Sequence, residues 1–318
     1  RKSGVHNPTL DPINPKTYQI LAAIFDEICP LFPSAYFHIG GDENNGKEWN
    51  ANPKIQEFKE KNNLATNHDM QTYFNMKLVP MLKKHGKQLM GWEEIMTPNM
   101  SKEAIIHAWR GANEGLEAAG ALVKAAKTGY KTVLSNGYYI DLMQSVADHY
   151  LNDPIAKSTV LTSEERARIL GGEAVMWSEL VTPLTIDSRI WPRTAAIAER
   201  LWSDAAITDL SSLRKRLKTV SFRLEELGIT HLKNKDVILR NISNNQKTEV
   251  FTENSKRIIA LQEDYIQTID SVILFLQGKN PTLSHVICQE NFLPEASRFA
   301  QLEDLDWAFG SMGMQDKA

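Results

Sequence analysis

The sequence predicts an α/β fold on a parallel sheet, of the (β/α)8, or TIM, barrel type, with about the last five strands in this chain. Three observations lead there. Short apolar runs alternate with helical periodicity over the first two hundred residues, the pattern of strands joined by crossover helices. A polar or aromatic cluster follows each run almost at once: Gly40-Gly41-Asp42-Glu43, Trp92-Glu93-Glu94, Trp109-Arg110, Tyr138-Tyr139-Ile140-Asp141 and Trp177-Ser178-Glu179. In a barrel the loops after the strands open on one rim, so these clusters are expected to converge, whereas an open doubly wound sheet gathers fewer loops.

The elements follow in order. A helix from Pro15 to Cys29 carries Ile20, Leu21, Ile24, Phe25 and Ile28 on one face, and a second from Met70 to His85 repeats the stripe with Phe74, Leu78, Val79 and Leu82. Strands are expected at Ala35 to Ile39, Lys87 to Trp92, Ile105 to Trp109, Thr132 to Ser135 and Gly172 to Trp177. From Leu210 the pattern is helical, with Leu213, Leu217, Val220, Leu224 and Leu227 on one face before Gly228 ends the run. Residues 1–240 are expected to form the C-terminal part of the barrel. Residues 241–318 are expected to form a helical C-terminal extension, with a helix from about Glu253 to Leu276 and a tail after Gly278 to which no function is assigned.

Five strands leave three to precede Arg1, so the N-terminal part of the same barrel is an expected partner. An open parallel sheet exposes unpaired edges, and the chain alone is expected to be unstable. It opens Arg1-Lys2-Ser3-Gly4 without a methionine, as an excised or processed chain would.

Composition narrows the function. The 318 residues carry a formal charge of −3 and no Lys/Arg-rich run, which argues against a nucleic-acid partner. No run of 18 or more apolar residues marks a membrane segment. Cys29 and Cys288 form neither a disulfide framework nor a zinc spacing, so cysteine use does not fix the compartment.

The chemistry concentrates at Asp42 and Glu43. Two glycines after a buried strand allow a tight turn that aims both acids, and adjacent carboxylates repel when ionised, which leaves a proton available near neutral pH. The plainer alternative is a solvated acidic loop pair or a helix cap. Aromatic side chains at neighbouring strand ends weigh against it, since their faces suit the apolar face of a sugar while carboxylates suit its hydroxyl rim. His38 sits four residues before Asp42 and is open to a structural or a catalytic reading. Glu199 and Arg200, in an apolar helix from Thr194 to Trp202, read as structural charges outside the site.

The segment His38-Ile39-Gly40-Gly41-Asp42-Glu43 resembles glycoside hydrolase family 20, the β-N-acetylhexosaminidases. Further motifs follow in the family's order: Gly91-Trp92-Glu93-Glu94, His107-Ala108-Trp109-Arg110, Tyr139-Ile140-Asp141 and Gly171-Gly172-Glu173-Ala174-Val175-Met176-Trp177-Ser178-Glu179. The resemblance runs from about His6 to Trp202. It implies an exo-acting retaining glycosidase that takes a terminal β-linked N-acetylglucosamine or N-acetylgalactosamine from an oligosaccharide or glycoconjugate. By that resemblance Glu43 is the general acid and then the base, and the nucleophile is the substrate's own acetamido oxygen, giving an oxazolinium intermediate. Asp42 would accept the acetamido N–H and Tyr139 would donate to its oxygen. Trp92, Trp109 and Trp177 would wall the sugar, and Asp141 and Glu179 would bind its outer hydroxyls.

The resemblance implies no metal or other cofactor, and it is compatible with a periplasmic, secreted or lysosome-like compartment. Two departures stand out: the family's sugar-gripping arginine is expected upstream of Arg1, and Glu93 stands where many members have Asp. Two alternatives remain at the level of sequence. One is an N-acetyl-sugar-binding protein without turnover. The other is a metal-dependent barrel hydrolase using His38, Asp42, Glu43 and His107 as ligands.

Overall fold

A computed structural model describes residues 9–111, 120–142, 144–157, 159–178 and 181–233. In chain order the elements are α1 (Pro15–Leu31), β1 (Tyr36–His38), α2 (Lys47–Ala51), α3 (Pro53–Lys61), α4 (Asn67–Lys83), β2 (Gln88–Trp92), β3 (Ile105–Ala108), α5 (Gly120–Lys127) and β4 (Lys131–Leu134). Then come α6 (Val146–Leu151), α7 (Ser163–Ala167), β5 (Ile169–Gly172), α8 (Ile186–Ile190), α9 (Arg193–Trp202) and α10 (Leu210–Glu226). The chain divides into two compact units, the first formed by residues 1–136 and 154–173 and the second by 137–153 and 174–318.

The first unit holds the sheet. Its five strands are all parallel and lie in sequence order, β1-β2-β3-β4-β5. Every crossover therefore steps in the same direction and the order never reverses, as in a barrel and unlike a doubly wound sheet with its switch point. The expected fold class is borne out.

Helices start where polar caps allow them. Asn14 accepts the Lys16 N–H at the head of α1, and Thr66 and Asp69 form a reciprocal capping box on α4. The core lies between these helices and the sheet: Phe25 and Cys29 of α1, Leu78 and Leu82 of α4, Leu89 of β2 and Ile106 of β3 pack in one buried cluster. A Leu82→Ala change there would cost about 2–5 kcal/mol. The α4 stripe is as expected, but the buried line of α1 is rotated. Thr17, Phe25 and Cys29 are buried and Leu21 packs against the core, while Ile20 and Ile24 are exposed, so apolar periodicity alone misplaced those two positions.

Four of the five strands fall within a residue or two of their expected positions, and the fifth does not. The apolar run Gly172 to Trp177 was expected to form it, yet β5 is Ile169–Gly172. Thr132 pairs with Ile169 and Val133 with Gly171, so Leu170 is an extra residue that shifts the register. The Glu173 N–H still reaches the Leu134 carbonyl, 2.8 Å away, but β4 ends there and offers no further partner. Val175 makes instead a single parallel bridge to Tyr139, within the second unit.

The described residues of the second unit are mainly helical. Val146 and Tyr150 of α6, Ala196 of α9, and Leu213 and Leu217 of α10 form its buried cluster. Arg200 is buried and donates to the carbonyls of Asp204, Ala205 and Ile207, while Glu199 accepts from Tyr150 and Arg216. Both charges are structural, through separate partners. The boundary near residue 240, the helix from Glu253 and the tail lie outside the described residues, as does Cys288. Among the described residues no helix is long and apolar enough to cross a membrane.

Candidate active site

The carboxylate pair sits immediately after β1, on a loop held by close backbone contacts. The Ile39 N–H donates to Met90 O at 2.9 Å and the Trp92 N–H to Gly40 O at 3.0 Å, so the chain stays in register with β2 beyond the strand's formal end. That approach requires Gly91, because a Cβ there would stand 2.9 Å from Gly40 O and 2.8 Å from Ile95 Cδ1. Gly41 has φ +101° and leaves room for Ile95, whose Cγ2 would lie 2.6 Å from an added Cβ. Its carbonyl accepts from Gln71 Nε2 of α4 at 2.6 Å.

These contacts deliver Glu43 in the left-handed region, φ +50°, a conformation that costs a side-chain-bearing residue about 1–2 kcal/mol. Strain of this kind persists only where the surroundings over-determine it. Both acids are exposed. The Glu43 carboxyl is nevertheless held above the ordinary carboxylate range, first by partial desolvation and then by the negative charges of Asp42 and Glu94, with Arg110 pulling the other way. A carboxyl in this state can carry a proton to a leaving group and take one back from water.

The ends of β2 and β3 are built differently. Trp92 caps a single 3-10 turn, Glu93–Ile95, which points its successive acids in different directions. Glu93 is only 4% exposed, and its carboxylate accepts from the Trp109 N–H at 2.9 Å, the Arg110 N–H at 3.2 Å and Arg110 Nε at 2.7 Å. Glu94 takes the side chains: Trp109 Nε1 at 3.1 Å and Arg110 Nη2 at 3.2 Å. The Arg110 guanidinium also lies over the Trp109 ring, 5.1 Å from its centroid.

Beside them is an aromatic stack. Trp92 is 8% exposed and lies against His107 at 4.2 Å between centroids, with His38 edge-on to both at 4.7 and 5.5 Å. Burial pushes the His107 imidazole down to about 3, so it is neutral at working pH although Glu173 lies 3.8 Å away. His38 accepts the Gly40 N–H on Nδ1 at 3.1 Å and so braces the turn, and desolvation lowers its pKa against the pull of Asp42. The residue is exposed overall, and its ring face packed against Trp92 and His107 is what desolvates it.

The second unit carries Tyr139, Asp141 and Trp177. Of the adjacent tyrosines, Tyr138 is fully buried and donates to Asn152 O, while Tyr139 is half-buried. Asp141 is fully buried. Its Oδ2 accepts from the Trp177 N–H at 2.5 Å and the Ser178 N–H at 2.8 Å, while its Oδ1 makes no hydrogen bond among the described residues. Those bonds hold a turn in which Ser178 has φ +72° and Trp177 stands 51% exposed. Glu179 lies outside the described residues.

Asp42, Glu43, Trp92, Trp109 and His38 are thus gathered in the first unit, and Tyr139, Asp141 and Trp177 in the second. Two residues joined to the site by the structure, Glu94 and Arg110, were visible in the sequence only as members of strand-end clusters. Nothing in their spacing told which of the two acids, Glu93 or Glu94, would act on the charge of Glu43. Two cavities of the first unit, of about 390 and 400 Å³, lie away from the carboxylate pair, around Trp49 and Ile55 and around Lys87 and Glu103. Among the described residues no group of three or more His, Cys, Asp or Glu is placed to hold a metal ion.

Comparison with known proteins meets this geometry. Residues 1–205 match the model of glycosyl hydrolase family 20, catalytic domain. The chain is 31% identical over 236 residues to mouse β-hexosaminidase subunit alpha, covering 71% of this chain and 44% of that protein. To the β-hexosaminidase of Porphyromonas gingivalis it is 33% identical, covering 67% and 29%. Among solved structures it is similar to a chitobiase of Flavobacterium johnsoniae, 70% identical with a TM-score of 0.73, over 80% of this chain and 39% of that one. An exo-β-N-acetylglucosaminidase of Vibrio harveyi in complex with N-acetylglucosamine is 28% identical with a TM-score of 0.61, over 69% and 36%. The chain spans less than half the length of each of these relatives, and over residues 1–205 it belongs to glycosyl hydrolase family 20.

Proposed function

We infer that the protein removes terminal β-linked N-acetylhexosamine by substrate-assisted, retaining catalysis, with Glu43 as the acid and base. The observation that carries this reading is the adjacent Asp42–Glu43 pair after β1, in which the neighbouring charges of Asp42 and Glu94 and partial desolvation keep the Glu43 proton available. Two enzyme carboxylates flanking a glycosidic bond stand at least about 5 Å apart across the sugar, an arrangement that neighbours on one turn do not supply. An adjacent pair suits a division of labour in which one acid handles protons and the other holds the substrate's own nucleophile.

In the first half-reaction Glu43 gives its proton to the leaving oxygen as the acetamido oxygen closes on C1. Asp42 accepts the acetamido N–H and stabilises the positive charge that grows on the forming oxazolinium ring. In the second, Glu43 takes a proton from water as the water opens the ring, which restores the acetamido group with net retention. By their motif positions, Tyr139 donates to the acetamido oxygen, Trp92, Trp109 and Trp177 meet the sugar's apolar faces, and Asp141 and Glu179 accept from its outer hydroxyls. The Vibrio harveyi relative is an exo-β-N-acetylglucosaminidase in complex with N-acetylglucosamine, which favours that sugar as the terminal residue here.

The test uses the full-length protein and aryl β-glucosaminides whose N-acyl group carries zero to three fluorines. Fluorine drains electron density from the acyl oxygen, so turnover should fall steeply and progressively along the series. A flat series, or equal cleavage of a plain aryl β-glucoside, would remove the acetamido group from the mechanism.

A further inference from the structure

We propose that Glu93 is a positioning residue for the reaction, holding Arg110 and Trp109 so that Arg110 neutralises Glu94 beside the catalytic acid. The inference rests on the functional reading of Glu43 above and concerns a residue that touches no substrate.

Glu93 is buried, and its carboxylate accepts three hydrogen bonds, two from consecutive backbone N–H groups after β3 and one from Arg110 Nε. A buried acceptor with three donors fixes the direction of the loop and the rotation of the guanidinium at once. The remaining face of Arg110 then reaches Glu94, which in turn holds the Trp109 indole through Nε1. The result is a closed ring of contacts from the turn after β2 to the loop after β3, and of its members Glu94 and Arg110 act electrostatically on Glu43.

The charges that act on Glu43 among the described residues are Asp42 on its own loop, Glu94 from the turn after β2 and Arg110 from the loop after β3. Glu93 is not one of them. Its substitution can therefore move the titration of Glu43 only by releasing Arg110. Loss of that cation removes the one attractive charge and leaves Glu94 unneutralised, and both changes favour the protonated form of Glu43. Because Glu43 must be protonated for the first half-reaction, the basic limb of the kcat/KM profile moves to higher pH.

The experiment compares wild type, Glu93→Leu and Glu93→Gln in the full-length protein, hydrolysing an aryl β-N-acetylglucosaminide from pH 4 to 10. Leucine keeps the volume but has no acceptor, and kcat is expected to fall about 10- to 100-fold with KM changed by less than about threefold. The basic limb should rise. Glutamine keeps one acceptor oxygen but sets its NH2 against the donors that the other oxygen served, so kcat and limb should fall between those of Glu93→Leu and wild type. Should Glu93→Leu fail to fold, Arg110→Gln, at a partly exposed side chain, gives the same upward limb. A wild-type limb in the variants, or one that moves down, overturns the proposal.

If wild type itself does not turn over, the functional reading falls, and the clamp is read separately from the Arg110 Nε–H signal in nitrogen-15 spectra. That signal should be sharp and slow to exchange in wild type and lost in Glu93→Leu. Rapid exchange in wild type would show that Glu93 does not hold Arg110.

Discussion

The loop after β1 and the paired loops after β2 and β3 lie side by side in one sheet and are stabilised by opposite means. The first is held by backbone: glycines at 41 and 91 let the segment after β1 approach β2 and Ile95, Gln71 pins a carbonyl, and Glu43 is left exposed in a left-handed conformation. The second is held by side chains: a buried carboxylate fixes two backbone amides and a guanidinium, and Trp92 is packed against two histidines that also touch each other. The contrast teaches a division of roles. In the proposed mechanism the acids that meet substrate stand on an open turn, and the network beside it contributes the charges of Glu94 and Arg110 that act on Glu43.

The largest effect should come from the open side. Asp42→Asn keeps the shape but removes the charge that stabilises the oxazolinium ring, and turnover should fall about 10²- to 10³-fold with the melting temperature unchanged. An unchanged rate would return Asp42 to the role of a loop acid.

Next comes the buried side, read as stability. His107 and His149 are neutral in the fold because burial takes their pKa values from 6.5 down to about 3 and about 4. A histidine whose pKa is depressed by folding contributes stability that is whole above its unfolded value and is lost as pH falls toward the folded one. Between pH 6.5 and 4 each should cost roughly 3 kcal/mol, seen as a falling urea midpoint. His107→Gln should flatten that dependence; an unaltered slope would mean the ring is already solvated.

Gly91→Ala tests the backbone contact between the two regions. Its Cβ would press on Gly40 O and Ile95, and a loss of about 1–3 kcal/mol is expected together with lower activity, since the displaced strand carries the Asp42 turn. Full activity in a destabilised variant would uncouple the turn from β2. The smallest effect is expected for Glu94→Gln. Removing this charge lowers the Glu43 pKa, so the basic limb should move to lower pH, opposite to the shift expected on releasing Arg110.

Much of the fold was legible because strand runs and crossover helices carry different periods, and the parallel strand order follows the chain. What failed did so for local reasons. The apolar segment Gly172 to Trp177 has strand composition, but the length of β4 and the extra residue Leu170 decide where pairing stops, and neither shows in composition. Ile20 and Ile24 satisfy a helical stripe yet face outward, because the buried line through Thr17, Phe25 and Cys29 includes a hydroxyl and a thiol. At the candidate site the Asp42–Glu43 pair was visible from two glycines and two acids. The separate tasks of Glu93 and Glu94 were not, because they depend on the direction a 3-10 turn gives each side chain.

The most direct test of the account is hydrolysis of an aryl β-N-acetylglucosaminide by the full-length protein and its Glu43→Gln variant, with the matching aryl β-glucoside as control. The account predicts rapid cleavage of the N-acetyl substrate alone and a loss of about 10²-fold or more in the variant. Cleavage of both substrates, or a variant as active as wild type, would contradict it.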